Sequence, residues 1–514
     1  MKAVELKAVS FSYDENIEVF DNADFYAEFG EVTLVAGQSG EGKSTLLSII
    51  SGIIPNVTEG KLQGQVLIDG ASIRGMRLGD ICRRVGVVLQ NADEQIVHKL
   101  VGDEIAFGCE NLAFPPEKIK RQIDIVCRLL KLDPIWKTRT LSGGQKQRLI
   151  TASTLAMGQR VIILDEPLAN LDSEGAAELM NTLRTLAYSG YAVIVVEHRL
   201  DVVLPYMDRV WHIGEKKISL VQDKYLYLQQ QSTVINDFCP PFSGDETLLD
   251  LDGVGFKIKD TEILKDVSCK ILKGARTVLI GENGGGKTTL LRLIARLNKP
   301  TSGNITQYID SRFKKNYKGN KAWYNKVGVV YQNPDYQLFM QTVKDEIAFG
   351  AESPEYAKRI IELFGLTAIA ERHPHSLSQG QKRRVSIAAV AACKPELLLL
   401  DEPTVGQDYE GLCELVHILN ALHKESGNTM ITITHDMRAA EALADKAILL
   451  KDGTIKAEGG KALVRRYFSL RPILKGRRRC ANRRMQHRKS YINSARMAKG
   501  YKAKRKIIKY KISK

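Results

Sequence analysis

The sequence predicts an α/β fold built twice in tandem and followed by a basic tail, on three observations. First, four motifs recur in the same order. GQSGEGKST (37–45) returns as GENGGGKTT (281–289), VGDEIAFG (101–108) as VKDEIAFG (343–350), LSGGQKQR (141–148) as LSQGQKRR (377–384), and VIILDEP (161–167) as LLLLDEP (397–403). Offsets of 236 to 244 residues mark a duplicated domain rather than a solenoid unit. Second, β-branched runs such as EVTLVAG, RVGVVLQ, RVIILDE and YAVIVVEH alternate with longer helical patterns, as strands of a mostly parallel, doubly covered sheet do. Third, charge changes abruptly near the end. Residues 465–514 hold 20 Lys and Arg and no Asp or Glu, so the first 464 residues are mildly acidic within a chain of net +16.

These observations divide the chain into a first domain at 1–235, a linker at 236–247 containing CPPFSGDE, a second domain at 248–464 and a tail at 465–514. The length of 514 residues suits two to four domains, and the apolar fraction of 44% is that of a globular chain. No run approaches the roughly 18 apolar residues of a membrane helix. MKAVELKAVSFSY reads as an opening strand, not a signal peptide. The eight cysteines form no CxxC pair, which argues against a disulfide framework or a zinc site and suits a reduced, cytosolic protein.

Each glycine-rich motif follows a predicted strand and opens an apolar helix, the context of a phosphate-binding loop. In Gly37, Gln38, Ser39, Gly40, Glu41, Gly42, Lys43, Ser44 and Thr45, glycines let successive N–H groups converge on phosphate, and the helix start adds partial positive charge. Gly281, Glu282, Asn283, Gly284, Gly285, Gly286, Lys287, Thr288 and Thr289 repeat the design. Lys43 and Lys287 are placed to reach the β- and γ-phosphates, and Ser44 and Thr288 to ligate Mg²⁺. Asp165 and Asp401, each ending an apolar strand, complete the metal shell. Glu166 and Glu402 follow as candidates to polarise an attacking water. An Asp-Glu at a strand end is commonly a solvated turn, but a strand-borne Asp-Glu-Pro at matched distance from a phosphate loop, twice, is not a chance pairing.

With LSGGQ added, the ordered motif set closely resembles the nucleotide-binding domains of ABC ATPases over residues 1–460. The resemblance implies a RecA-like core, an antiparallel β subdomain and a helical subdomain in each copy, with ATP and Mg²⁺ bound. Gln90 and Gln332 match the family's Q-loop glutamine, a metal and water contact; His198 and His435 match its switch histidine; Asp172 and Asp408 match its D-loop. It also implies that the two domains close head-to-tail within the chain. One site then combines the first phosphate loop with Ser378, Gly380 and Gln381, and the other the second loop with Ser142, Gly144 and Gln145. Tyr13 sits where the family stacks an aromatic on adenine, whereas the second copy has Ile258, implying weaker adenine affinity there. Gln379 replaces the first signature glycine, a change expected to be tolerated, and Gln407 stands where the first copy has Leu171. Two hydrolysis-competent sites, unequal in detail, are expected.

VVLQNADEQIV (87–97) and VVYQNPDYQLF (329–339) add Asn91, Asp93 and Gln95, then Asn333, Asp335 and Gln337, to the Q-loop glutamines. With V-x-D-E-I-A-F-G, this hook resembles the ATPases of energy-coupling factor (ECF) importers, which take up cobalt, nickel and vitamins or their precursors, such as those of thiamine. That resemblance implies a peripheral ATPase on the cytoplasmic face of the cell membrane. A groove after each hook would receive a coupling helix of a T-type transmembrane subunit, which carries a substrate-binding S component. The plainer reading has Gln95 and Gln337 merely capping the next turn. The alternative function is a soluble tandem ATPase acting on the ribosome or nucleic acid through the tail. The tail's like charges predict disorder in isolation and suit an anionic membrane surface more than nucleic acid, and an unconstrained extension reads equally well.

Overall fold

The computed structural model describes residues 1–14, 17–38, 40–89, 92–168, 171, 173–231, 235, 242–309, 312–314 and 321–469. Ser39, Gln90, Asn91, Asp172, the first half of the linker (236–241) and the tail from Leu470 therefore lie outside the described residues, as does the Asp93 side chain. Residues Met1–Phe468 form one compact unit.

Each copy contains two sheets. In the first, the strands order as Lys217–Leu220, Arg209–Gly214, Val32–Gly37, Ala192–Val196, Val161–Asp165 and Val85–Val88. All pair in parallel except the Lys217–Leu220 edge. The second copy reproduces this order with Thr454–Gly459, Lys446–Lys451, Arg276–Ile280, Thr429–Ile433, Leu397–Asp401 and Val327–Val330. Unbroken apolar runs explain why these strands are central. Ile162, Ile163 and Leu164 are fully buried, as are Leu398, Leu399 and Leu400, and each contributes roughly 1.5–3 kcal/mol of burial. Antiparallel sheets, built on Lys2–Ser12 in the first copy and Thr247–Ile258 in the second, cover one face. Helices pack on the other.

The helical subdomain of the first copy comprises Val101–Asn111, Pro116–Leu130 and Gly143–Ala156. Pro116 supplies the preset φ of a helix start, and Val126, Cys127 and Leu130 form the buried stripe. Val343–Ala348, Pro354–Leu363 and Gln379–Ala392 are the counterparts. The closing helix, Lys461–Ser469, buries Val464 and packs Tyr467 and Phe468 against the second core. The packed chain thus runs beyond the boundary at 464, because those two aromatic rings gain from joining that core. Parallel pairing gathers the carboxyl ends of the central strands along one edge, where an open sheet of this kind places its ligands.

Candidate functional site

Along that edge stand the glycine-rich loop after Val32–Gly37, the Asp165-Glu166 pair and the loop after Ala192–Val196, with an equivalent set in the second copy. The loops need glycine where they join their helices. Gly42 (φ 102°) and Gly286 (φ 95°) are left-handed N-caps. A Cβ on Gly42 would stand 2.5 Å from Val19 Cγ1, and one on Gly286 2.6 Å from Leu264 Cδ2. Lys43 and Lys287, both buried, fold back over their loops. Lys43 Nζ donates to the carbonyls of Gly37 (2.9 Å) and Gln38 (2.7 Å), and Lys287 Nζ to those of Gly281 (2.9 Å) and Glu282 (2.8 Å). Burial lowers the Lys43 pKa against the opposing carboxylates, Glu166 first and Asp408 of the second copy next.

The acidic pair takes the same form twice. Glu166 (φ 44°) and Glu402 (φ 51°) adopt left-handed backbone conformations unusual for a side-chain-bearing residue, while their N–H groups still donate to Val196 and Ile433 carbonyls. That turn brings each glutamate to its histidine: His198 Nε2 lies 3.1 Å from Glu166 Oε1, and His435 Nε2 lies 3.1 Å from Glu402 Oε1. His435 Nε2 also lies 2.9 Å from Asn283 Oδ1 of the second phosphate loop. Burial pushes the Glu402 carboxyl up to about 7 against the pull of Lys287. Burial, with Glu166 adding to it, raises Asp165 to about 6, and burial also raises Asp401.

Thr288 Oγ1 donates to Asp401 Oδ1 at 3.2 Å, so the second copy brings its two predicted metal ligands together. No such bond joins Ser44 to Asp165 among the described residues. Nor does any cluster of three or more His, Cys, Asp or Glu able to hold a metal occur among them. One carboxylate beside one hydroxyl fits Mg²⁺, which keeps waters and takes its remaining ligands from phosphates.

Ser142 and Gln145 close a capping box on Gly143–Ala156, and Ser378 and Gln381 do the same on Gln379–Ala392. Among the described residues each of these side chains accepts the backbone N–H of its partner in the box, and none bonds to the opposite phosphate loop. What faces the first loop is instead the start of Tyr409–Ser426. Gln38 Nε2 donates to Glu410 Oε1 at 2.7 Å, and a cleft of about 320 Å³ lies between Gly37, Gln38, His198 and Leu200 of one copy and Asp408, Tyr409 and Glu410 of the other. Gly380 and Gly144 lie against the D-loops of their own copies, where Gln407 Nε2 donates to the Gly380 carbonyl (3.3 Å) and Leu171 occupies the matching place. Tyr13 is half-exposed beside the first loop, its hydroxyl 2.9 Å from Thr45 Oγ1, and Ile258 is exposed.

In the hooks, the second glutamines are turned onto their own strand ends. Gln337 Oε1 accepts the Tyr331 N–H (2.9 Å) while its Nε2 donates to the Val329 carbonyl (2.8 Å). Gln95 does the same with Leu89 (2.8 Å) and Val87 (3.5 Å). A carboxamide carries both a donor and an acceptor, so it satisfies the strand end in place of a missing neighbour. Asp335 is likewise engaged, accepting from Lys382 Nζ at 2.9 Å, and Asn333 accepts the Asp335 N–H. Gln332 itself is exposed.

Several structuring residues escaped the sequence reading. Glu104 takes the N–H groups of Val97 and His98, and Glu346 those of Phe339 and Met340. The repeated D-E-I-A-F-G was the available signal. Buried Glu197 accepts the N–H groups of Leu168, His198 and Arg199, and burial raises its pKa. Arg383 donates to the Tyr331 (2.8 Å) and Gln332 carbonyls, and burial lowers its guanidinium to about 10. The repeat gave no signal for these two, since their equivalents are Thr434 and Gln147.

A family model described as ABC transporter matches residues 20–169 and 264–405. YkoD of Bacillus subtilis, provisionally named an HMP/thiamine import ATP-binding protein, is 33% identical over 89% of this chain and 91% of its own length. A protein of Methanosarcina mazei, provisionally named an ABC transporter ATP-binding protein, is 30% identical over 90% of this chain and 89% of its own. Among solved structures, ribosome-bound archaeal ABCE1 with Pelota aligns with a TM-score of 0.66 at 21% identity, over 88% of this chain and 79% of that one. The archaeal ribosome recycling factor aABCE1 in complex with stalk protein aP1 aligns at 0.61 and 21%, over 90% and 92%. At such identity the structural likeness speaks for the fold.

Proposed function

Because the chain belongs to the ABC transporter family and is a tandem ABC ATPase, we propose that it energises an importer of the energy-coupling factor type, taking up a vitamin or metal ion through separate membrane subunits. The observation that carries this reading is an exposed apolar patch beside each hook. In the second copy Tyr336, Phe339 and Phe349 are 82%, 63% and 67% exposed, and the two phenylalanine rings stand 5.3 Å apart. In the first, Val97, Phe107, Ile135 and Trp136 are exposed. Clustered exposed aromatics mark an interaction site, and their position at the hooks suits two coupling helices of a T-type subunit bearing an S component. Among the described residues no helix is long and apolar enough to cross a membrane, so the transmembrane path would belong to that partner. YkoD's name favours HMP or thiamine as substrate, and docking on such a membrane partner would make the chain a peripheral protein of the cytoplasmic face.

The residues divide the work as follows. Lys43 and Lys287 leave their loop carbonyls for the β- and γ-phosphates. Glu166 and Glu402 orient the attacking water and accept its proton, and His198 and His435 hold those glutamates and contact the γ-phosphate. Ser44, Asp165 and Gln90, with Thr288, Asp401 and Gln332, would hold Mg²⁺, which neutralises charge developing on the phosphates. Closure brings Ser378, Gly380 and Gln381 onto the first site and Ser142, Gly144 and Gln145 onto the second, where helix-start N–H groups clamp the γ-phosphate. Hydrolysis then releases the halves.

The test is purification of the tagged chain from detergent-solubilised membranes. Recovery of a polytopic membrane protein, lost in the Phe339→Asp/Phe349→Asp variant whose own ATPase is unchanged, supports the importer. Recovery of ribosomes without a membrane protein overturns it and favours the soluble alternative.

A further inference from the structure

The loop after each histidine carries opposite charges in the two copies. The first reads His198-Arg199-Leu200-Asp201 and the second His435-Asp436-Met437-Arg438. Arg199 is thus equivalent to Asp436, and Asp201 to Arg438. The first loop borders the cleft between the copies, and the second packs against a residue that lines it. Leu200 lines it together with Tyr409, and the Arg438 guanidinium lies 5.4 Å from the centre of the Tyr409 ring. Across the same cleft runs the Gln38–Glu410 hydrogen bond.

The charges act over that boundary. Burial opposes ionisation of Asp436, yet Arg438 and, from the first copy, Arg199 help hold its carboxyl below the ordinary range. Burial likewise opposes the Arg438 charge, while Asp436 and, from the first copy, Asp201 raise it. Arg199 also opposes the rise of Glu402. Arg199 is fixed in place by donating to the carbonyls of Leu168 (3.2 Å) and Leu171 (2.9 Å), and Arg438 by its ion pair with Asp436 (2.8 Å).

We propose that this antisymmetric charge pattern makes the two halves of one chain each other's preferred partner, so that the head-to-tail interface forms within the chain and not between like halves of two chains. Two first copies brought together would set Arg199 toward Arg199 and Asp201 toward Asp201. Two second copies would oppose Asp436 to Asp436 and Arg438 to Arg438. They would also set Glu282, the equivalent of Gln38, against Glu410. Like charges at such positions reject a partner while unlike ones guide it. Nothing in this inference depends on the membrane partner, since it is read on the purified chain.

The experiment is a charge-swap cycle in the full-length protein: Asp201→Lys, Arg438→Glu and the two combined. ATPase rate is measured, with the molar mass by light scattering in ATP. Each single change is expected to lower the rate about three- to tenfold, and the double to return within about twofold of the parent at monomer mass. Singles without effect, or a double equal to the product of the singles, would overturn the proposal, the latter leaving Arg438 only its local role beside Asp436. Should Arg438→Glu fail to fold, Asp201→Lys is measured in an Arg438→Gln background. Its effect must shrink there, and an undiminished effect overturns the coupling.

Discussion

The two halves agree in the residues of their shared motifs and differ in several charged side chains around them. The strand-end glutamines bond in the same pattern at 2.8–3.5 Å, and each glutamate meets its histidine at 3.1 Å. Around that frame the chemistry has diverged. A buried Glu197 holds the first histidine loop where the second has Thr434, bonded to Thr404 at 2.7 Å. Arg383 braces the second hook where the first has Gln147. The difference teaches that the shared motifs keep one fastening in both copies, whereas Glu197 and Arg383 satisfy backbone groups in one copy only, so that equivalent turns are held by different side chains.

The strongest way to break the comparison is at the glutamates. Glu166→Gln with Glu402→Gln should lower ATP hydrolysis by about 100-fold or more, and each single change should leave an intermediate, unequal rate. A Glu402→Gln rate equal to that of the parent would show that the second site contributes no hydrolysis.

A smaller effect separates the sites by pH. Glu402 has its carboxyl raised to about 7 in the folded chain, from an ordinary value of 4.5. The folded state then binds the extra proton between those values, so the glutamate's contribution to stability is complete below about 4.5 and lost as pH rises through about 7. Glu402→Gln should therefore raise the melting temperature of the nucleotide-free protein by about 2–4 °C at pH 8 and leave it nearly unchanged near pH 4.5. A gain of equal size at both pH values would remove the buried carboxylate as its cause.

The smallest concerns the shared frame. Gln337→Ala orphans the Tyr331 N–H and the Val329 carbonyl, at a cost of about 1–3 kcal/mol, and Gln95→Ala should cost less because its Val87 bond is longer. Equal losses in urea unfolding would show that the two hooks are fastened equally well.

The linear sequence determined the α/β class, the duplication and the glycine-rich loops, because these follow from local rules. Short apolar runs ending in charge, such as LLLLDE, suit central strands, and the G-x4-G-K-[ST] spacing between a strand and an apolar helix marks the loops. It also named both glutamates and both histidines, which the fold brings to one edge. Tertiary structure decided the rest. That Gln95 and Gln337 turn inward depends on which strand ends lack a neighbour. That Glu197 is buried depends on the Leu168 N–H, from a separate loop, converging with those of His198 and Arg199 beside it. That Arg199 helps lower the Asp436 pKa depends on two loops 237 residues apart in sequence coming close together. Such contacts arise from packing over long sequence separations, where a residue's type records its charge and not its neighbour.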